Sequence, residues 1–533
     1  MNDSLSQAAA RWGDRVEVER INGVPFRMYV ERPRRLEHLL AFAGRWGARP
    51  HIVQADRVLT FDALRHAVTK KTRDLVQHGV AAGERVFLMG WNSADYVVNF
   101  WAVLGAGAVP ALANTWWSEA EVGDALELLR PTLILADRRV SMKISPSWRR
   151  VAWEADATPP SGADRTHHTV TSIDENDPAV IIFTSGTSGR PKAVVLSHRA
   201  LLANLHMLLN MTRRLPHQVD ETSADVALHT GPLFHIGGAQ AMMRAVTVGN
   251  TLVLPAGRFD PGEALALVEQ WQVTRWAAVP TMISRVLDHP DVHRRNLHSL
   301  RAVTLGGAPL HPSLQERIRS GLPGAQARVA TGYGLSENGG QATAASDADT
   351  INRPGTSGRA LPLTEIKIVE RTGSPDGEIF IRAPTQMSGY YGSATSPIDD
   401  EGWLGTGDLG RADEAGYIWI TGRSKDLIIR GGENISPAAV EQALLDAPGV
   451  RDAVVFGLAH PDLGEEVAAV VVVDDSSASA TVDAHVRTRL ASFAVPTRWQ
   501  FRTEPLPVNP TGKVDKPAVV AQARAALGEE RAS

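Results

Sequence analysis

Apolar residues in this chain fall into short blocks whose period switches between that of a helix and that of a strand. Such alternation predicts layered α/β architecture. After Asn92 and Ser93, side chains suited to a helix cap, apolar residues run from Tyr96 to Leu104 and predict a buried helix. A glycine break follows, and Val109 to Ala113 then predicts a short strand, with Pro110 placing it at a sheet edge or a strand start. Taken together, Tyr96 to Ala113 approaches membrane-spanning length, but Asn99, Gly105, Gly107 and Pro110 interrupt it, so helix followed by strand is the reading kept.

Ala157 to Pro178, rich in Pro, Ser, Thr, Gly and Asp, predicts a surface connection. The run Ala179 to Phe183 then predicts a buried strand, and Thr251 to Leu254, Ala302 to Leu305 and Glu378 to Ile381 predict further strands. The last hundred residues carry a compact pattern of their own. A helix from Pro437 to Leu445 precedes strands Val450 to Gly457 and Glu466 to Val473, a helix near Val482 to Leu490, and a polar tail. This places a domain boundary near Arg423 to Asp426, with units of residues 1–423 and 424–533. There are no internal repeats.

Composition narrows the functional classes. A chain of 533 residues is too long for one core, so two or more domains are expected. A formal net charge of -4 supplies no basic field for nucleic acid or an anionic membrane, so neither is expected as a partner. The absence of cysteine removes disulfides, cysteine-based metal sites and a cysteine nucleophile, so thiol chemistry would need a thiol brought by a substrate. Met1 to Arg20 is polar and lacks an apolar signal region, which together with the missing cysteines predicts a cytoplasmic protein. Lysine occupies only eight of the 55 basic positions, which makes a lysine in a glycine-rich loop conspicuous.

Such a loop follows the strand that ends at Phe183: Thr184-Ser185-Gly186-Thr187-Ser188-Gly189-Arg190-Pro191-Lys192. Two glycines let backbone N–H groups turn inward, while four hydroxyls and one lysine add donors, the set a polyphosphate needs. A Walker A pattern cannot be fitted to it. The loop resembles the phosphate loop of the adenylate-forming superfamily, which contains acyl-CoA synthetases, peptide-synthetase adenylation domains and luciferases. Further matches follow in that superfamily's order: Pro232 to His235, Leu305 to Pro309, Gly332 to Glu337, Gly402 to Asp408, Gly422 to Asp426, Gly431 to Asn434, and Pro510 to Lys513.

The resemblance, spanning roughly residues 35 to 520, implies a large N-terminal domain of layered α/β subdomains and a small mobile α+β C-terminal domain. It implies an ATP-dependent ligase that activates a carboxylic acid as its acyl-adenylate and passes the acyl group to coenzyme A. Thr184, Ser185, Gly186, Thr187, Ser188, Gly189 and Lys192 would hold the β- and γ-phosphates. Tyr333, between Gly332 and Gly334, would stack on adenine while the turn at Gly307 and Ala308 reaches the base edge. Asp408 and Arg423 would bind the ribose, and Ser336 belongs to the same nucleotide motif. Glu337 would hold Mg²⁺. Lys513 would offset anion-against-anion repulsion at the α-phosphate, with His235 and Glu337 as the other catalytic candidates.

Lys425 sits where relatives hinge, and Gly432 and Glu433 belong to the loop that lines the coenzyme A tunnel. Peptide-synthetase domains carry an aspartate where His235 stands, so an amino-acid substrate is disfavoured. Small-acid relatives carry a tryptophan where Gly334 stands, so a deeper cavity is expected, suited to a medium or long, aryl or polycyclic acid. A carrier protein or an amine is the alternative acceptor. A homodimer is left open.

Overall fold

A computed structural model describes residues 12–154, 173–185, 191–220, 225–322, 328–370, 376–475, 479–509 and 511–526. The expected connection from Ala157 lies largely outside them. Two seven-stranded sheets form the bulk of the chain. In the first, strands Arg150–Val151, Leu133–Ala136, Arg85–Met89, Val109–Leu112 and Pro178–Ser185 run parallel; Pro191–Ser197 and Gly389–Tyr390 close its edge antiparallel. The second carries Val329–Thr331, Ala302–Leu305, Arg275–Ala278, Val226–His229, Thr251–Val253 and Pro50–Gln54 in parallel, with Arg57–Thr60 antiparallel at one edge.

The helix foreseen between Tyr96 and Leu104 spans Ala94–Gly105, and the Ser93 hydroxyl caps it by accepting the Tyr96 N–H at 3.1 Å. Every side chain from Ala94 to Leu104 is buried, because the helix is packed on all sides. No described helix is long and apolar enough to cross a membrane. Of the two places expected for Pro110, the strand start holds and the sheet edge does not: it is second in the strand Val109–Leu112, which lies in the middle of the first sheet. Val109 N donates to Glu84 O at 2.7 Å, so the alternating backbone turns the Pro110 nitrogen toward strand Pro178–Ser185. That ladder begins only at Ala111, opposite Ile181, so no hydrogen bond is lost.

A four-stranded antiparallel sheet, from Glu365–Val369 to Ile418–Arg423, bridges to the last part of the chain. From Ile428 onward the strands belong to a separate five-stranded sheet, built on the hairpin Val450–His460 with Gly464–Val473 and covered by helices Pro437–Leu445 and Ser479–Arg489. Strand Arg498–Arg502 joins it in parallel. Its core of Val, Ile, Leu and Ala side chains is distinct from those of the two large sheets. Two of the contacts between this C-terminal part and the rest involve His311 and Thr281. His311 Nε2 lies 3.4 Å from Asp446 Oδ1, and the Thr281 hydroxyl donates to the Gly512 carbonyl.

Candidate active site

The chemistry-bearing motifs gather where the parallel strands of the second sheet end. Strand Ala302–Leu305 runs out into Gly306 and Gly307, and Val226–His229 leads on to Phe234 and His235. Gly307 adopts φ 79°, a conformation natural to glycine, and a Cβ there would stand 2.7 Å from Lys513 Cε and 2.8 Å from its Nζ. The ammonium group of Lys513, delivered from the far end of the chain, is thus seated on the backbone of this turn. Burial, and then the charge of Arg423, lower its pKa.

The loop that presents Lys513 is held from both sides. Thr281 bonds the Gly512 carbonyl, and Asn509 Oδ1 accepts from Thr511 N (3.0 Å), Thr511 Oγ1 (2.7 Å) and Lys513 N (3.2 Å). Asn509 was not among the residues singled out from the sequence, although an Asn four residues before a glycine-borne lysine is a recognisable turn former. His235 caps the helix Ile236–Val248 through its backbone position only. Burial, and then the nearby Lys513 charge, bring its pKa down to about 4, so the ring is neutral at physiological pH, and its Nε2 has no protein partner.

Around the corner, Asp408 and Arg423 face each other across paired strands, with Arg423 Nε donating to Asp408 Oδ1 at 2.9 Å. The Tyr333 hydroxyl donates to Asp408 Oδ2 at 2.6 Å, and burial, followed by the Asp408 charge, holds that phenol well above its ordinary pKa. Each oxygen of the buried Asp408 accepts one such bond and keeps a second lone pair, which suits a ligand that brings two hydroxyl donors.

A third group lies along the edge of the first sheet. Thr184 and Lys192 are register partners on adjacent strands. Lys192 Nζ stands 4.8 Å from the centroid of the Tyr390 ring, and the Tyr390 hydroxyl donates to Glu337 Oε1 at 3.1 Å. Glu337 sits in the turn Ser336–Asn338, tied to the first sheet's edge by the Met387 N–H on its carbonyl (2.8 Å). Among the described residues, its Oε2 has no partner and no three of His, Asp or Glu converge as a metal cage. One carboxylate with a free oxygen, sharing Tyr390 with the Lys192 cation, fits Mg²⁺, which keeps waters and needs few protein ligands. Tyr390 was missed from the sequence, where only its place between Gly389 and Gly392 marks it. Gly186, Thr187, Ser188 and Gly189 lie outside the described residues, and of Ser185 only the backbone is described.

One expectation changes. Gly334 does not open a cavity: a Cβ there would fall onto the Gly340 carbonyl and 2.7 Å from Gln341 Cα, because Gly334 pairs with Gln341 in a tight two-stranded contact. Backbone proximity, not pocket depth, calls for glycine there. Space appears instead over the second sheet, where Ala277 and Thr304, register partners in mid-sheet strands, are exposed, and Gly306 continues the same face with open space beside it. Gly432 and Glu433 are not brought to Lys513. They lie in an exposed hairpin in which Gly431 and Gly432 take φ 58° and 91°, as a two-residue turn requires. Lys425 is exposed in the short turn Ser424–Asp426 that leads into this hairpin.

Comparison with known proteins gives a consistent picture. Residues 39–391 match the family described as AMP-binding enzyme, and residues 439–513 match the AMP-binding enzyme C-terminal domain. The chain is 34% identical, over 87% of its length and 94% of the relative's, to 3-[(3aS,4S,7aS)-7a-methyl-1,5-dioxo-octahydro-1H-inden-4-yl]propanoyl:CoA ligase of Mycobacterium tuberculosis. It is 32% identical to feruloyl-CoA synthase of Amycolatopsis sp, over 89% of this chain and 97% of that one. Among solved structures it is similar to o-succinylbenzoate CoA synthetase of Bacillus subtilis. With the acyl-adenylate intermediate bound, that enzyme superposes with a TM-score of 0.77 at 27% identity, covering 92% of this chain and 98% of that one. With ATP and magnesium ion the TM-score is 0.76 at 28% identity, covering 90% and 98%.

Proposed function

The chain belongs to the AMP-binding enzyme family, and on that premise we propose how its residues divide the work of an acid–CoA ligase and which acid it takes. The reaction consumes ATP in two steps: acid and ATP give acyl-AMP and pyrophosphate, then acyl-AMP and coenzyme A give acyl-CoA and AMP. The seating of Lys513 on Gly307 is the observation that carries the assignment of roles.

In the first step a carboxylate attacks the α-phosphorus, so two anions approach and charge builds on the phosphoryl oxygens. Lys513 meets that charge with a partly desolvated cation, which acts more strongly than an exposed one. Tyr333, with Gly307 and Ala308, receives the adenine, and Asp408 with Arg423 receives the ribose. Thr184, Lys192 and the loop between them receive the β- and γ-phosphates, and Tyr390 keeps Lys192 and Glu337 within reach of one another. Bound Mg²⁺, held by Glu337, supplies charge neutralisation across the phosphates. His235, neutral and with a free Nε2, can bond the acid without adding a second cation beside Lys513.

Lys513 is in place while the Gly432 hairpin is exposed, so this arrangement suits adenylation. Thioester formation then requires the unit 424–533 to turn about Lys425 and bring Gly432 and Glu433 to the site. The small residues flooring the groove, Ala277, Thr304 and Gly306, support a bulky apolar acid of six carbons or more, in keeping with the bicyclic propanoyl acid named for the Mycobacterium tuberculosis relative. A cytoplasmic location, where ATP and coenzyme A are at hand, belongs to the same proposal. An acid panel assayed first for pyrophosphate and then for thioester tests it. Bulky acids should have the highest kcat/KM for both. Acetate as the best substrate would overturn the groove assignment, and adenylation without thioester formation would point to a carrier protein or an amine as acceptor.

A further inference from the structure

The face of the second sheet that carries Ala277 and Thr304 bears charged residues farther along its strands that adenylation does not use. Side chains alternate faces along a strand, so Arg275 projects on the same face as Ala277, two residues upstream and about 7 Å farther from the reacting centre. The helix Ile236–Val248 lies on that same face, with Ala239, Met242, Met243 and Val246 buried in the core that Leu252 and Ile52 of the sheet also join. Beyond its first residue, Ile236, this helix is buried except at Gly237, Gln240, Ala241 and Arg244, which are all at least partly accessible. Their spacing of three and four is one helical stripe. The stripe starts beside His235, passes Gln240 bonded to the Gly339 carbonyl at 3.3 Å, and ends at Arg244. Nine residues at 1.5 Å each put Arg244 about 13 Å along the helix from His235.

What Arg244 meets there is mostly positive charge. Its charged neighbours are Arg275, Arg214 and Asp225. The Asp225 carboxylate is already engaged: Oδ2 by Arg275 Nε at 2.6 Å and Arg214 Nη2 at 3.3 Å, and Oδ1 by the Thr274 hydroxyl at 3.2 Å. Arg244 itself makes no hydrogen bond or ion pair among the described residues. Burial lowers its pKa to about 10, which leaves it cationic at neutral pH. A partly buried guanidinium of five donors, with no acceptor among the described residues, is costly unless a ligand supplies one.

We propose that Arg244, with Arg275 beside it, forms the far wall of the acyl groove. There it takes an acceptor oxygen, a ketone or a second carboxylate, at the end of the acid remote from the reacting carboxyl. This rests on the ligase reading and narrows its substrate class from bulky apolar acids to acids oxygenated at the distal end. The recognition is a specificity contact, since the oxygen it binds lies far from the atoms that react.

The test uses three acids on one carbon skeleton about ten atoms long, ending in methyl, ketone or carboxylate, with the full-length wild-type enzyme and Arg244→Met. In the wild type an oxygenated end should raise kcat/KM about 10- to 100-fold over methyl, because a buried donor is otherwise left unpaired. Whichever oxygenated acid leads identifies the ketone or the carboxylate as the natural end. Arg244→Met should erase that advantage while using the methyl-ended acid as well as the wild type does. Should Arg244→Met fold poorly, Arg244→Lys keeps the test: it should favour the carboxylate over the ketone, because an ammonium pairs with an anion better than it replaces a planar donor fork. A wild type that prefers the methyl end, or a variant that loses all three acids equally, overturns the inference. Pyrophosphate release from the methyl-ended acid would still uphold the ligase reading in the first of those cases.

Discussion

Gly307→Ala tests whether Lys513 acts from the position seen here. The added Cβ would sit 2.7 Å from Lys513 Cε and 2.8 Å from Nζ, where non-bonded carbon pairs settle near 3.5–4.0 Å. The lysine end must therefore retreat by about 1 Å, and Thr281 and Asn509 prevent its backbone from following freely. A misplacement of that size at a reacting centre costs about 10²-fold in rate. The left-handed φ of 79° adds a folding penalty of about 1–2 kcal/mol, visible as a lower Tm and not in the rate. Acid-dependent ATP–pyrophosphate exchange should fall by about 10²-fold, approaching the loss of 10²–10³ expected for Lys513→Ala. Conversion of supplied acyl-adenylate to thioester should stay within about 2-fold of normal in both. Because Gly307 also borders the proposed adenine position, the pair must be separated by a double-mutant cycle. If the glycine acts through the lysine, Gly307→Ala in the Lys513→Ala background should change little. Equal losses in both backgrounds, or a matching loss of thioester formation, would refute the reasoning.

Asn509→Ala removes three hydrogen bonds that shape the lysine loop, so adenylation should slow about 10-fold or more while the thioester step is spared, read by the same two half-reaction assays. Lys425→Pro should leave adenylation nearly intact and slow thioester formation strongly by restricting the turn proposed as the pivot; unchanged overall turnover would place the pivot elsewhere. Asp452→Asn should stabilise the C-terminal part in a pH-dependent way. Burial, opposed by the Ala453 N–H and reinforced by Glu441, raises the Asp452 carboxyl from 3.8 to about 6. The folded state then binds that proton more tightly than the unfolded state, so stability is fully present below about pH 4 and is lost as pH rises through about 6. Thermal unfolding should show a gain for the asparagine variant at pH 8 exceeding the gain at pH 5 by about 1 kcal/mol; equal gains would mean that Asp452 titrates normally.

Much of the local architecture was legible along the chain because it depends on neighbours in sequence. The cap at Ser93, the helix Pro437–Leu445 and the strand Ala302–Leu305 all follow from periodicity and caps. The family and its two-step chemistry were legible through the resemblance of several ordered motifs to the adenylate-forming superfamily. Tertiary packing decided the remainder. Pro110 reads locally as an edge signal, yet it sits mid-sheet because the neighbouring ladder starts one residue later. Gly334 suggested room for substrate, whereas the strand that folds back on it leaves space for no side chain at all. Tyr390 and Arg244 carry no motif of their own. Each matters through what lies across from it: Glu337 and Lys192 for the tyrosine, and a carboxylate already engaged by other arginines for Arg244. Sequence spacing constrains residues a few positions apart, whereas contacts between residues distant in the chain exist only once sheets and helices have packed.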